Sequence, residues 1–175
     1  MAYDPRAIQR ALRGFLRSVN TTTSAYDLSA SLQARMGDDM VQTGRPIFVP
    51  TAINKFPAVF IYPESEVEEL GELGANARRR QTLRLAVECF SRFQPMPATG
   101  STTFDNAADA AERENMILSQ NIRNSLRSDM KLSNTAGLLF GHITGATYNV
   151  IPPTADQNTY IFGIKMVWEA ESLTT

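Results

Sequence analysis

The apolar positions of this chain change period several times, and each change marks an element. From Pro5 to about Val19, Ile8, Leu12, Phe15, Leu16 and Val19 recur at helical spacing. Arg6, Arg10, Arg13 and Arg17 fall on the opposite face, within an arc of about 60°. Asp4 suits an N-cap and Pro5 the first helical position. The polar run from Asn20 to Ser24 ends this helix, and a weaker helix is predicted over Ala25 to Met36, with Leu28 and Leu32 facing in and Gly37 near its C-terminal cap.

From Gly44 the pattern turns to strands. Pro46 to Pro50 is short and bounded by prolines, which suits an edge piece. The segment from Phe56 to Phe93 is the most informative. An apolar run, Pro57 to Pro63, leads into an acidic loop holding Glu64, Glu66, Glu68, Glu69 and Glu72. Arg78, Arg79 and Arg80 follow. The next strand alternates, with Leu83, Leu85, Val87 and Cys89 on one side and Thr82, Arg84, Ala86 and Glu88 on the other. The pattern predicts a hairpin with blocks of opposite charge at its far end.

A loop rich in proline and small polar residues, Gln94 to Thr103, precedes a long helix from Phe104 or Asp105 to Arg127. Ala107, Ala108, Ala111, Ile117, Leu118, Ile122 and Leu126 supply its buried side. Two strands close the chain. Leu138 to Tyr148 is interrupted by Gly141 and Gly145, which predicts a bulge or bend. Tyr160 to Ala170 alternates cleanly, with Tyr160, Phe162, Ile164, Met166 and Trp168 opposed to Ile161, Gly163, Lys165, Val167 and Glu169; Pro152 to Asn158 joins the two. The expected fold is α+β: an antiparallel or mixed sheet of four to five strands with helices packed on one face, in a single domain over residues 1–175.

Composition narrows the function classes. Hydrophobic residues make up 43%, enough for a real core, and the formal net charge of -1 provides no global field for nucleic acid. Recognition by charge must therefore be local. The N-terminus has no apolar h-region and no stretch approaches a membrane helix, so a soluble protein, intracellular where it is made, is expected.

The catalytic inventory is thin. His142 is the only histidine and sits inside a predicted strand without a serine or cysteine signature. Cys89 is the only cysteine and falls in an apolar register, as an inert core thiol would. One histidine and one cysteine do not build the usual zinc sets, and Glu64 to Glu72 lacks the spacing of a calcium loop. No phosphate-binding glycine motif is present. No cofactor, metal or enzymatic activity is expected.

The charged clusters are what remain. The helix-one arginines could grip phosphate or an acidic partner, or simply be the solvated face of a packed helix. Arg78, Arg79 and Arg80 alternate sides on a strand, so they cannot all grip one backbone. Acidic and basic blocks on one hairpin suit a closed ring, in which one patch meets a different patch on the neighbour. The alternative is a solvated hairpin tip with no partner.

In order and texture the chain resembles the tail terminator (tail-completion) proteins of long-tailed bacteriophages. The resemblance lies in the amphipathic first helix, FPAVFIYPESE, RRRQTLRLAVECF, the helix DNAADAAERENMILSQNIRNSLRS and the final strand TYIFGIKMVWEAE, and it spans Tyr3 to Glu171. It implies a virion structural protein at the tail–neck junction, assembled in the host cytoplasm as a homo-oligomer, a hexameric ring. Such a ring caps the tail tube, ends polymerisation and offers a joining surface to the head connector. Implied partners are the tail tube protein, the neck or connector protein, the tail sheath as a further candidate, and DNA in transient, non-specific passage; no membrane is implied.

Under this resemblance Glu64, Glu66, Glu68, Glu69, Glu72, Arg78, Arg79 and Arg80 become candidates for subunit or tube contacts. Arg6, Arg10, Arg13 and Arg17 become candidates for a partner or the DNA channel. DNA has to slide through such a channel, which argues against placing every arginine in the lumen. The competing expectations are a neck adaptor or stopper protein, a nucleic-acid-binding module using the arginine stripe, and, last, an enzyme with His142 as base.

Overall fold

The computed structural model describes residues 4–18, 41–46, 58–70, 79–93, 104–132, 134–151 and 160–174. Seven elements follow one another: α1 (Pro5–Ser18), β1 (Val41–Thr43), β2 (Ala58–Leu70), β3 (Arg79–Phe93), α2 (Phe104–Ser128), β4 (Phe140–Ile151) and β5 (Tyr160–Thr174). The strands form one five-stranded sheet in the order β1-β2-β3-β5-β4. β1 runs parallel to β2 and every other pairing is antiparallel, so the sheet is mixed and the α+β class holds.

One face of the sheet carries the core. Val59 and Ile61 of β2, Leu83, Leu85, Val87 and Cys89 of β3, and Ile164, Met166, Trp168 and Ala170 of β5 are buried there. They meet Ile8, Leu12 and Leu16 of α1 and Leu118, Ile122 and Leu126 of α2, so both helices lie on the same face. Each of these helix side chains is at most 2% exposed, a burial that stabilises by about 1.5–3 kcal/mol per residue as an upper figure.

α1 starts as its sequence dictates. The Arg6 N–H donates to Asp4 Oδ1 at 2.9 Å, which satisfies one of the unpaired donors of the first turn. α2 leaves the sheet face through a tight turn in which Leu132 and Asn134 take left-handed φ values of 47° and 63°. The Gly141 N–H then donates to the Met130 carbonyl at 2.8 Å and fixes the start of β4.

Several expectations need correction. The residues from Glu64 to Glu69 are not in a loop. β2 passes a bulge between Pro63 and Ser65 and continues paired with β3 as far as Leu70 opposite Arg79. Glu64 is the extra residue of the bulge, which is why Pro63 does not end the strand. The described edge strand is Val41–Thr43, which the sequence pattern did not mark. Gly44 adopts φ 117° and turns the chain after β1, and Pro46, which has no N–H to donate, lies beyond the strand. Ile47 to Pro50 and the helix expected over Ala25 to Met36 lie outside the described residues.

Strand ends shift as well. β4 begins at Phe140 instead of Leu138, because the Leu138 N–H is taken by the Thr135 carbonyl in a turn. It runs on to Ile151, with its register slipping between Ile143 and Gly145 where a bulge or bend was expected. β5 continues four residues past Ala170, to Thr174, because β3 offers Arg79 to Thr82 as partners. Leu118, Ile122 and Leu126 form the buried stripe expected of α2, while the side chains of Ala107, Ala108 and Ala111 lie outside the described ones.

Candidate assembly surface

The sheet face turned away from the helices is built of charge. Alternation puts Arg80, Arg84 and Glu88 of β3 on that face, beside Glu171, Glu169 and Lys165 of β5. Arg84 Nε donates to Glu169 Oε2 at 2.8 Å. Arg80 pairs with Glu171, and Lys165 pairs with Glu64, the bulge residue of β2 reaching across β3. The acidic members are the better shielded, with side-chain exposures of 11% for Glu171 and 16% for Glu169 against 50% and 51% for their arginines. The arginine stems therefore cover the carboxylates while the guanidinium groups remain wetted.

Tyr62 is the centre of the second half of this face. Its hydroxyl donates to Glu88 Oε2 at 3.0 Å. The Arg45 guanidinium sits 5.3 Å from the ring centroid and Lys165 Nζ 6.0 Å. Burial, and next the negative charge of Glu88, push the Tyr62 phenol well above its ordinary value. These groups, with Phe90, Asn149 and Ile151, line an open cleft of about 620 Å³. Its two cations, Arg45 and Lys165, stand against two carboxylates, Glu64 and Glu88, so the cleft has no net sign.

The hairpin end is the other charged region. Arg79 Nη1 donates to Glu68 Oε1 at 2.8 Å, on the face opposite to Arg80, as strand alternation requires. Glu69 lies directly across from Arg80. The acidic block on β2 and the basic block on β3 thus lie side by side and pair across the two strands. Glu66, Val67, Glu68 and Glu69 are all exposed. Glu72 and Arg78 lie outside the described residues.

The arginines of α1 do not form one uniform stripe. Arg6 and Arg10 are exposed. Arg13 is half-buried and its Nε donates to the Val41 carbonyl at 2.9 Å, and Arg17 is also half-buried. Helical geometry separates Arg10 from Arg13: at 100° per residue Arg10 lies about 160° from the centre of the Ile8, Leu12 and Leu16 stripe, and Arg13 only about 100° from it, at the margin where the helix meets β1. Gln9 does the same work next to Arg13, donating to the Ile61 carbonyl at 2.7 Å. Helical geometry does not account for Arg17, which at about 140° lies farther from that centre than exposed Arg6 at about 120°.

Chemistry that would make a catalytic site is sparse. His142 is exposed on β4, opposite Glu169 and with its ring 5.9 Å from that of Phe140. Cys89 is fully buried, and burial pushes its thiol far above the reactive range. Among the described residues no cluster of histidine, cysteine and carboxylate groups could hold a metal ion, and no helix is long and apolar enough to cross a membrane. What the face offers is fixed charge on a rigid sheet, which suits recognition of another surface.

Seven charged or hydrogen-bonding residues of this surface escaped the sequence reading as functional groups: Arg45, Tyr62, Arg84, Glu88, Lys165, Glu169 and Glu171. A signal for two of the ion pairs, Arg84 with Glu169 and Arg80 with Glu171, was present. Reading β3 forward and β5 backward, Arg84 meets Glu169 and Glu88 meets Lys165 at one constant register, with Glu171 one diagonal step from Arg80.

No family model and no curated protein matches the chain. Among solved structures it is similar to a chain of one described as "Virion of native gene transfer agent (GTA) particle", at 16% identity and a TM-score of 0.37, over 97% of this chain and 96% of that one. Likeness at that level carries no weight for function.

Proposed function

We propose that the chain is a virion structural protein that caps a phage-type tail tube as a ring, ends tube polymerisation and forms the joining surface to the head connector. The observation that carries this reading is the far end of the sheet. β2 and β3 continue past the last core residue of the hairpin, Leu83, and present Glu66, Glu68 and Glu69 with Arg79 and Arg80 to solvent. A rigid, doubly charged prong suits docking on a neighbouring subunit or a tube rim, where charge sets the register. Exposed pairs there contribute only about 0–1 kcal/mol each, so apolar contact has to supply most of the association energy.

The nucleic-acid reading weakens on the same grounds. Arg13 is spent on the Val41 carbonyl, which removes it from any common phosphate-binding stripe with Arg6 and Arg10. An enzyme reading has only His142, exposed on a strand, to offer as a base among the described residues.

The test is negative-stain microscopy and mass photometry of the purified protein, alone and with tube protein. Rings, six-fold on this reading, seated on tube ends are expected. Monomers under both conditions would remove the proposal. Copurification with portal protein in place of tube protein would make the chain a neck adaptor or stopper.

A further inference from the structure

A closed ring needs two unlike surfaces on opposite sides of one subunit, and the two edges of this sheet are unlike. One edge is β4, a strand of 12 residues, FGHITGATYNVI, with no Asp, Glu, Lys or Arg in it. Thr144, Gly145, Thr147, Tyr148, Asn149 and Val150 are exposed along it. Tyr148 and Val150 are 52% and 58% exposed, the latter the most exposed of the large apolar side chains described. Natural sheets guard long edges with charge, proline, brevity or bulges; β4 has one bulge, between Ile143 and Gly145, and from Ala146 to Ile151 it has none of these.

The opposite edge is guarded. β1 covers only Val59 to Ile61 of β2, and its pairing ends where the Gly44 N–H meets the Ile61 carbonyl. Beyond that, from Pro63 to Leu70, no strand pairs with the outer side of β2 among the described residues. This stretch carries exposed Glu66, Glu68 and Glu69. Two such acidic edges repel each other, whereas an uncharged edge bearing threonine, asparagine and tyrosine meets an acidic one without like-charge opposition.

Strand direction points the same way. β2 to β3, β3 to β5 and β5 to β4 are each antiparallel, so β4 is antiparallel to β2 within one subunit. Rotation about an axis along the strands preserves their direction. In a ring built with that axis, β4 of one copy meets β2 of the next in antiparallel sense, the more stable pairing. Resting on the ring reading above, we infer that β4 adds to the outer half of β2 in a second copy of this chain, so that the sheets continue from subunit to subunit by strand addition.

The test uses the single native cysteine to advantage, since Cys89 is buried and stays silent to maleimides in the folded protein. Thr147→Cys on β4 and Val67→Cys on β2 lie on the same, helix-free face of the sheet. The two variants are mixed, assembled and treated with a short bismaleimide. Cross-linked pairs in the mixture, with none from either variant alone, are expected. Cross-links from Thr147→Cys alone would show two β4 edges facing each other and overturn the inference. So would cross-links formed only to added tube protein. Rings without any mixed cross-link would overturn the inference and leave the ring reading standing, while absence of assembly would remove both. As a second arm, Tyr148→Lys with Val150→Lys is expected to weaken self-association about tenfold or more with an unchanged urea midpoint; undiminished assembly would count against β4 as the pairing edge.

Discussion

Gly141 of β4 lies so close over the Trp168 indole that a Cβ placed on it would stand 2.0 Å from Trp168 Cζ2. Trp168 is fully buried at the centre of the sheet's helix-bearing face, and the missing side chain of Gly141 is the space its ring occupies. Gly141→Ala should therefore force the ring or the strand to move, costing about 3 kcal/mol or more. Gly145, four residues on, has nothing within 4 Å of the same position and no left-handed φ. Gly145→Ala should be neutral or gain up to about 1 kcal/mol by restricting the unfolded chain. Urea unfolding followed by Trp168 fluorescence checks both.

Tyr62 ties stability to alkaline pH. Its neutral phenol donates to Glu88, and ionisation would set two negative charges at that distance in a partly buried place. The folded-state value is raised, so the stability this residue contributes is complete below the unfolded value of about pH 10 and is lost as pH climbs above it. The wild-type urea midpoint should fall between pH 9 and pH 11 more steeply than that of Tyr62→Phe. At pH 8 the same substitution should cost about 1 kcal/mol for the lost hydrogen bond. Equal slopes in the two proteins would refute the assignment.

The two adjacent arginines of β3 should behave differently. Arg79 meets Glu68, whose side chain is 42% exposed, and Arg79→Ala should change stability by about 0–1 kcal/mol. Arg80 meets Glu171, whose side chain is 11% exposed, and Arg80→Ala leaves that carboxylate poorly solvated without its partner. The drop in urea midpoint should be the larger for Arg80→Ala, and Arg80→Ala with Glu171→Gln should recover part of it. A double-mutant cycle reads the coupling directly.

Much of this fold was legible in the sequence because its long elements obey one period each. Leu83, Leu85, Val87 and Cys89 announced the core face of β3, and Ile8, Leu12 and Leu16 that of α1. The failures have local causes. Val41 to Thr43 is too short to show a period, and what makes it a strand is tertiary: the Val41 carbonyl held by Arg13 and the pairing with Val59 to Ile61. Pro63 read as a strand end, and the run of glutamates after it read as a loop, because a bulge is a tertiary device that composition does not display. The charged face was the least legible part. Its residues were visible one by one, but which carboxylate met which arginine depended on register between β3 and β5, strands separated in sequence by α2 and β4.

The arginines of α1 give the sharpest separation of fold from function. Arg13→Ala removes a half-buried hydrogen bond to the edge strand and should cost about 1 kcal/mol. Arg10→Ala, at an exposed position, should stay within about 0.5 kcal/mol of wild type. Charge reversal that is meant to probe a partner therefore belongs at Arg6 and Arg10, since Arg13→Glu would also disturb β1 and confuse the two effects. Arg6→Glu with Arg10→Glu should keep the wild-type unfolding midpoint. If these arginines meet an acidic neighbour or passing DNA, the double variant should weaken that association, and the weakening should shrink as salt rises from 50 to 300 mM, since screening already removes the wild-type advantage there. Unaltered binding to tube protein, connector protein and DNA at low salt would return this helix face to plain solvation.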